Sequence, residues 1–175
     1  MSKSNQLAAR VRLLILDVDG VMTDGKLYFS AVGDTMKTFH TQDGQGIKLL
    51  RDSGVEVGII TGRQSEIVSR RAAELGLDHV LQGREDKLQA LQELLASTDH
   101  SLTSTAYVGD DLPDLAAIRA AGFGVAVCNA SAIVREQADY VTEAGGGYGA
   151  VREVCELIMQ AQNTLDAQLA PYLSA

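Results

Sequence analysis

Short apolar runs alternate with stretches of helical periodicity along most of the chain. Runs of strand length, rich in Leu, Ile and Val, predict strands at 11–16, 55–60, 79–81, 105–108, 123–127 and 139–141. Between them, apolar residues recur at three- and four-residue spacing, which predicts helices at 44–53, 64–75, 86–96, 113–121 and 149–162. Because unbroken apolar strands are typical of a sheet covered on both faces, the alternation predicts a doubly wound, Rossmann-like α/β fold with a mainly parallel sheet.

Residues 26–40 depart from this alternation. They contain two strand-like pieces around Gly33-Asp34, and a Gly-Asp turn between strands predicts a β-hairpin inserted after the first strand. We expect one domain over residues 1–175, with a core at about 10–162. The remaining segment, 163–175, is most simply a frayed tail.

Composition and charge exclude several classes of protein. The 175 residues are 46% apolar, which argues against disorder, and the net charge of −8 argues against a binder of nucleic-acid backbones. No apolar run approaches the ~20 residues of a membrane helix, and the N-terminal segment lacks the apolar middle of a secretory signal. Cys128 and Cys155 are too few for a disulfide scaffold. We therefore expect a cytoplasmic protein that binds neither nucleic acid nor membrane.

Charged and hydroxyl side chains follow three of the predicted strands. The first strand runs into Asp17 and Asp19, the second into Thr61, and a later one into Asp110, while Lys87 opens a helix. Because ligands bind at the carboxyl ends of the strands in an open α/β sheet, these side chains are expected to converge on one rim. Carboxylates held together repel one another and need a cation, and hard oxygen ligands favour Mg²⁺.

This set of side chains suits phosphoryl transfer. One carboxylate can attack phosphorus to form an aspartyl phosphate, and a second, two residues on, can protonate the leaving oxygen and later activate water. A hydroxyl and an ammonium can bind the oxygens of the transferred group. The residues that fit these roles and the metal site are Asp17, Asp19, Thr61, Lys87 and Asp110.

Four ordered motifs resemble those of the haloacid dehalogenase superfamily: DVDG at 17–20, ITGR at 60–63, Lys87 at a helix start, and GDDLPD at 109–114. The resemblance implies Asp17 as nucleophile and Asp19 as acid and base. It implies Thr61 and Lys87 as ligands of the phosphate.

The same resemblance implies a metal site. Mg²⁺ would lie on the carboxylates of Asp17 and Asp110 and on the main-chain carbonyl of Asp19. Asp111 and Asp114 would support the metal or orient Lys87. From the residues alone, Asp111 and Asp114 fit equally well as acids that cap the helix started by Pro113, so both interpretations remain open.

Longer segments are similar to one branch of the superfamily, the 3-deoxy-D-manno-octulosonate 8-phosphate phosphatases of bacterial lipopolysaccharide synthesis. The similar segments span 13–29, 37–50, 59–88, 106–115 and 149–158. The branch implies a sugar-acid phosphate as substrate, no cap domain, and a homotetramer with the hairpin (about 21–40) at the interface. A neighbouring subunit and its C-terminal tail, through Leu169, Tyr172 and Leu173, would help to close each site.

The branch also implies contacts to the sugar acid. Besides Asp19 and Lys87, the implied substrate-binding residues are His40, Thr41, Gln42, Asp43, Gly44, Lys48, Gly62, Arg63 and Arg71. Three positions depart from the branch: His40 replaces Asn, Gln42 replaces Arg, and Tyr148 replaces an Arg that many members carry. A Tyr hydroxyl cannot form the bidentate contact of an Arg with a carboxylate, so these departures leave the exact sugar open.

Other functions remain as alternatives. The same chemistry could serve a nonulosonic (sialic-type) acid 9-phosphate. A non-catalytic tetrameric module is less favoured, since it has no need of all five catalytic and metal residues, and a phosphotransfer signalling domain does not fit a DxD pair on the first strand. His79 and His100 are predicted to be structural or exposed, because no second His stands at metal-ligand spacing in the sequence.

Overall fold

A computed structural model describes residues 2–31 and 33–173. The strands are β1 (Leu13–Leu16), β2 (Tyr28–Ser30), β3 (Gly33–Met36), β4 (Glu56–Ile60), β5 (His79–Leu81), β6 (Thr105–Gly109), β7 (Phe123–Ala126) and β8 (Tyr140–Val141). The helices are α1 (Lys3–Ala8), α2 (Thr41–Asp52), α3 (Glu66–Leu75), α4 (Lys87–Ala96), α5 (Leu112–Ala120), α6 (Ala132–Gln137), α7 (Ala150–Ala161) and α8 (Leu165–Leu173).

Six strands form one parallel sheet in the order β5-β4-β1-β6-β7-β8. β1 lies at its centre, paired with β4 on one side and β6 on the other. All four residues of β1 are buried, as expected for a strand covered by helices on both faces. The predicted doubly wound α/β fold is confirmed, and the three strands that precede the polar motifs are neighbours.

Several helix limits differ from those expected. α2 begins at Thr41 rather than 44, and α3 begins at Glu66 rather than 64. The sequence pattern also missed α1 and α6, which have six residues each and are too short for apolar periodicity to stand out.

The expectation of a frayed C-terminal tail is wrong for residues 165–173. This segment forms α8, with Leu165 packed against the core and the hydroxyl of Tyr172 accepting a hydrogen bond from Gln45 Nε2 at 2.9 Å. The partly buried Leu165 at its start and a hydrogen bond near its end hold this helix on the body of the protein.

β2 and β3 form the hairpin as a separate two-stranded antiparallel sheet. β3 begins at Gly33, so Gly33 and Asp34 lie in a strand and not in the turn where the sequence pattern placed them. Three apolar side chains of the hairpin segment, those of Leu27, Phe29 and Met36, are exposed, with Phe29 the most exposed at 63%.

The connections that could hold a cap domain are short in the described ranges. Residues 62–86 contain α3 and β5, and the segment after β1 contains a helical turn (Val18–Met22) and the hairpin. The cavity at the carboxyl ends of the strands is therefore left open on this chain. None of the described helices is long and apolar enough to cross a membrane.

Candidate active site

The carboxyl ends of β1, β4 and β6 meet at one cavity of ≈ 530 Å³. The sheet ladder continues into the residues after the strands, because Asp17 N–H donates to Val108 O at 3.0 Å and Thr61 N–H donates to Leu81 O at 2.9 Å. The cavity is lined by Asp17, Asp19, Thr61, Gly62, Arg63, Glu85, Lys87, Asp110, Asp111, Pro113 and Asp114. All the predicted catalytic and metal residues are thus brought together, and Glu85 and Pro113 are added to them.

Gly20 allows the chain to turn sharply after Asp17 and Asp19. Its φ of +93° is a conformation that side-chain-bearing residues rarely adopt, and a Cβ at this position would collide with the carboxylate of Asp110. The glycines at 146 and 147 pack against this turn, since Gly147 N–H donates to Val21 O at 2.9 Å. The DVDG loop and the Asp110 loop are therefore in direct contact only because residue 20 lacks a side chain.

Lys87 is the buried cation of the cavity. Its Nζ lies 2.8 Å from Asp17 Oδ1 and 3.0 Å from Asp114 Oδ1. Burial lowers the pKa of Lys87, but the two carboxylates outweigh this effect and hold the pKa above its usual value. Lys87 is therefore a permanent ammonium positioned against the predicted nucleophile.

Asp114 connects the lysine to the loop after β6. It is buried, and besides Lys87 its carboxylate accepts hydrogen bonds from Tyr107 Oη at 2.9 Å and from Asp110 N–H at 3.1 Å. Asp111 is the N-cap residue of α5, and its N–H approaches Asp114 Oδ2 at 3.4 Å. Both interpretations of Asp114 apply, since it orients Lys87 and also stabilises the start of a helix.

Burial and mutual repulsion make the carboxylates of this cavity hard to ionise. Burial raises the pKa of Asp17 to about 6, aided by the charge of Asp114 and opposed by Lys87. Burial also raises the pKa of Asp110 to about 7, with further contributions from Asp17 and Asp114. Carboxylate oxygens of Asp17, Asp110 and Asp114 lie within 4.8 Å of one another. A divalent cation with oxygen ligands fits this arrangement, because it would relieve the repulsion that raises the two pKa values.

Asp19 points to the hairpin side of the cavity. Its Oδ1 forms an ion pair with the buried Nζ of Lys37, and its Oδ2 lies 3.8 Å from Arg63 Nε. The guanidinium of Arg63 lies 5.6 Å from the centroid of the Phe29 ring, which also belongs to the hairpin. Sequence reasoning missed Lys37, because no local spacing links this first residue of the segment 37–50 to Asp19.

Most of the residues predicted to contact the sugar acid do not line this cavity. Asp19, Gly62, Arg63 and Lys87 do, whereas His40, Thr41, Gln42, Asp43, Gly44, Lys48 and Arg71 lie on or next to α2 and α3. Arg71 lies over the Phe39 ring at 5.6 Å, next to a groove of ≈ 240 Å³ that Lys37, Thr41 and Arg70 also line.

Asp43, which is predicted to contact the substrate, makes a structural contact within the chain. It is buried, and its Oδ1 accepts a hydrogen bond from Arg152 N–H at 2.8 Å, in the first turn of α7. The residue before that helix is Gly149, which has no side chain to cap it. Asp43 therefore acts as the cap of α7 from another helix. Gly44, next to it, packs against the guanidinium of Arg71.

Comparison with known proteins agrees with this geometry. Residues 79–149 match a family model described as a haloacid dehalogenase-like hydrolase. The chain is 47% identical over 161 residues to the 3-deoxy-D-manno-octulosonate 8-phosphate phosphatase of Yersinia pestis, an alignment that covers 92% of this chain and 86% of that protein. The phosphatase of the same name from Escherichia coli K12 is 46% identical over 91% of this chain and 85% of that protein.

The chain belongs to the family of 3-deoxy-D-manno-octulosonate 8-phosphate phosphatases. A crystal structure of such a phosphatase from Moraxella catarrhalis, in complex with a magnesium ion, a phosphate ion and a KDO molecule, has a TM-score of 0.95 and 48% identity, covering 98% of this chain and 99% of that one. A probable phosphatase of the yrbi family from Pseudomonas syringae has a TM-score of 0.96 and 52% identity, covering 98% of both chains. The predicted superfamily, branch and fold are confirmed.

Proposed function

We propose that this chain is a Mg²⁺-dependent phosphatase that hydrolyses 3-deoxy-D-manno-octulosonate 8-phosphate to the free sugar acid and phosphate, in lipopolysaccharide synthesis. The observation that carries the proposal is the contact of Lys87 with both Asp17 and Asp114 in a cavity that also contains Asp19 and Asp110. Membership of the phosphatase family supports the same activity.

In the first step, a carboxylate oxygen of Asp17 attacks phosphorus and the bond to the sugar oxygen breaks. Asp19, two residues on, donates its proton to that leaving oxygen. Lys87 and the hydroxyl of Thr61 bind the oxygens of the phosphoryl group, whose negative charge spreads as the bond breaks. The products of this step are the free sugar acid and Asp17 as an aspartyl phosphate.

In the second step, the carboxylate of Asp19, now ionised, takes a proton from a water molecule that attacks phosphorus. The bond between phosphorus and Asp17 breaks, which releases phosphate and returns Asp17 to its starting form. The contact with Lys37 Nζ holds the side chain of Asp19 in place, and it is an ion pair when Asp19 is ionised, as in this second step.

We expect Asp17 and Asp110 to hold Mg²⁺ through their carboxylates, with the main-chain carbonyl of Asp19 as the third ligand expected from the family. Six acidic and only two basic side chains line the cavity. When bound, the ion supplies positive charge that offsets this excess of acidic groups. Asp111 and Asp114 act behind these ligands, by holding the loop after β6 and orienting Lys87.

The test is phosphate release by the purified protein. We expect release from 3-deoxy-D-manno-octulosonate 8-phosphate with Mg²⁺, loss of release in EDTA, and recovery when Mg²⁺ is added back. The protein with Asp17→Asn provides the blank. Equal release with and without EDTA would contradict the proposal.

A nonulosonic acid 9-phosphate is the second candidate substrate. It is favoured by the three departures from the branch at His40, Gln42 and Tyr148, of which Tyr148 is exposed. Measuring kcat/KM for both sugar-acid phosphates on the same preparation separates the two. We expect the octulosonate 8-phosphate to be preferred, and a reversed preference would assign the other substrate.

We also propose that the protein is a cytoplasmic homotetramer in which the hairpins meet. The exposed side chains of Leu27, Phe29 and Met36 support this, because three apolar groups on one small hairpin are suited to burial against another copy. The unpaired state of Cys128 and Cys155 is compatible with a reducing compartment. Sedimentation of the protein and of a Leu27→Glu, Met36→Glu variant tests the interface. A monomeric parent protein at micromolar concentration would contradict it.

A further inference from the structure

Two of the three histidines in the chain meet on one carboxylate at the other end of the sheet from the cavity. Glu56 is the first residue of β4, and His79 is the first residue of the neighbouring β5. His100 lies in the connection between α4 and β6. Since Thr61 follows the opposite end of β4, this cluster lies about 16 Å from the cavity along the strand. His79 and His100 are 21 residues apart in the sequence, so no metal-ligand spacing marks them, and the fold brings them together.

The distances within this cluster are short. His79 Nε2 lies 2.8 Å and His100 Nε2 lies 3.0 Å from the same atom, Glu56 Oε2. The side chains of both histidines are largely buried, while that of Glu56 is half exposed. The three potential ligand atoms all lie within 4.8 Å of one another. The cluster is therefore ordered by burial on one side and open to ions from solvent on the other.

The backbone around the cluster is held firmly. β4 and β5 pair in parallel, with Gly58 opposite His79. A Cβ at Gly58 would lie 2.8 Å from His79 Cβ, so the missing side chain allows the histidine to lie close over β4. Asp78, just before His79, accepts a hydrogen bond from Val57 N–H at 3.0 Å and binds Arg51. Two of the three side chains are thus anchored on a rigid ladder.

We propose that Glu56, His79 and His100 form a second metal site, for Zn²⁺ or a similar transition-metal ion. Imidazole nitrogen together with carboxylate oxygen is a common ligand set for Zn²⁺, with bonds of about 2.0–2.2 Å. Two such ligands on a tetrahedral ion are about 3.3 Å apart, so the two distances from imidazole nitrogen to Glu56 Oε2 need to open by only a few tenths of an ångström. Three protein ligands leave a fourth position for water.

The two sites differ in the ions that they select. The cavity at the carboxyl end presents only oxygen ligands, which suit Mg²⁺. The cluster at the amino end presents two imidazole nitrogens, which suit Zn²⁺, Co²⁺ or Ni²⁺ and bind Mg²⁺ poorly. An ion at the second site would join β4, β5 and the connection before β6, so its effect is expected on stability and not on the phosphatase reaction.

The experiment uses the full chain without an affinity tag, in excess Mg²⁺, titrated with Zn²⁺. The imidazole signals in ¹H–¹⁵N spectra are simple to assign because there are only three histidines. We expect the signals of His79 and His100 to change with one equivalent of Zn²⁺ while that of His40, at the start of α2, stays in place. Unchanged signals of His79 and His100 would overturn the proposal.

Calorimetry with variants gives a second readout. We expect His79→Gln and His100→Gln each to weaken Zn²⁺ binding about tenfold or more, and the matched variant His40→Gln to leave it unchanged. Zn²⁺ should raise the melting temperature of the parent protein but not of His100→Gln, whose phosphatase activity with Mg²⁺ should be intact. Equal Zn²⁺ affinity in the parent and in the double variant of His79 and His100 would place the ion elsewhere and overturn the proposal.

Discussion

The predicted site residues fall into two groups that the fold treats differently. The cavity group (Asp17, Asp19, Thr61, Lys87 and Asp110) meets in one cavity of one chain. The α2–α3 group (His40, Thr41, Gln42, Asp43, Gly44, Lys48 and Arg71) lies outside that cavity. In the first group, Asp17, Asp19, Thr61 and Asp110 follow adjacent strands of the sheet, and Lys87 joins them as the first residue of α4. The second is arranged by helix packing, and at least one member, Asp43, has its carboxylate bound to another helix.

This difference separates chemistry from substrate selection. Groups at the ends of adjacent parallel strands are held on rigid elements, which suits the reacting atoms. Residues on the neighbouring helices can meet a substrate only at the edge of an open cavity, or where another subunit covers it. We therefore expect changes in the cavity group to affect kcat, and changes in the α2–α3 group to affect KM or stability.

The largest effect is expected from Asp17→Asn. An amide cannot act as the nucleophile, so kcat should fall by about 10³-fold or more. Removal of a buried charge that faces Asp114 should leave the fold intact. Steady-state phosphate release and thermal melting measure both effects, with the exposed Asp52→Asn as the control. Activity within tenfold of the parent would disprove the assignment of the nucleophile.

Lys87→Met is expected to affect both activity and stability. Loss of the ammonium leaves Asp17 and Asp114 buried without their partner, which should cost about 3–5 kcal/mol of unfolding free energy. The value of kcat should fall by about 10²-fold, since the transferred oxygens lose a cation. Urea denaturation and kinetics measure these changes. The matched control, Lys3→Met, removes an exposed ion pair with Asp139 and should cost less than about 1 kcal/mol.

Asp110→Asn tests the electrostatics of the metal-free cavity. The pKa of the Asp110 carboxyl is raised from 3.8 to about 7 in the folded protein. Between these two pH values the folded protein binds a proton that the unfolded chain does not, so the free energy of unfolding falls as pH rises. Asparagine should therefore stabilise the EDTA-treated protein by about 1–2 kcal/mol at about pH 7.5 and much less at about pH 4.5. Urea denaturation at both pH values measures the stabilisation. If the substitution stabilised the protein equally at both, the charge of Asp110 would not be the cause, and the inferred repulsion would be refuted.

Arg71→Ala sharpens the distinction between the groups. If this guanidinium binds the sugar acid, KM should rise about tenfold while kcat changes little. Arg70→Ala is the matched control, because Arg70 is the adjacent residue, is highly exposed and pairs with the same glutamate, Glu74. Initial rates over a range of substrate concentrations measure both constants. The same KM in the two variants would remove Arg71 from the binding residues.

The smallest effect is expected from Asp43→Ala. Loss of the cap on α7 should reduce the unfolding free energy by about 1 kcal/mol, with little change in KM. Asp52→Ala, an exposed change on the same helix, is the control in the same denaturation series. A large rise in KM without a loss of stability would return Asp43 to the substrate-binding residues.

Several contacts in this protein could not be predicted from local pattern. The ion pair between Lys37 and Asp19 joins the hairpin to the DVDG loop, and the hydrogen bond between Asp43 and Arg152 spans 109 residues. Lys37 and Asp43 both lie in the segment 37–50 that resembles the branch, but no local spacing links either residue to its partner. In the same way, α8 has no strong apolar periodicity, and its position follows from its packing against α7 and α2.

The sequence by itself determined the parallel sheet, the branch of phosphatases and the meeting of Asp17, Thr61 and Asp110, because a residue that directly follows a buried parallel strand has only one end of the sheet to occupy. Only the tertiary structure decided which partners hold Asp19, Asp43 and Glu56. These partners come from segments far apart in the chain, and side chains of that kind meet through the packing of whole helices and strands, which no local spacing encodes.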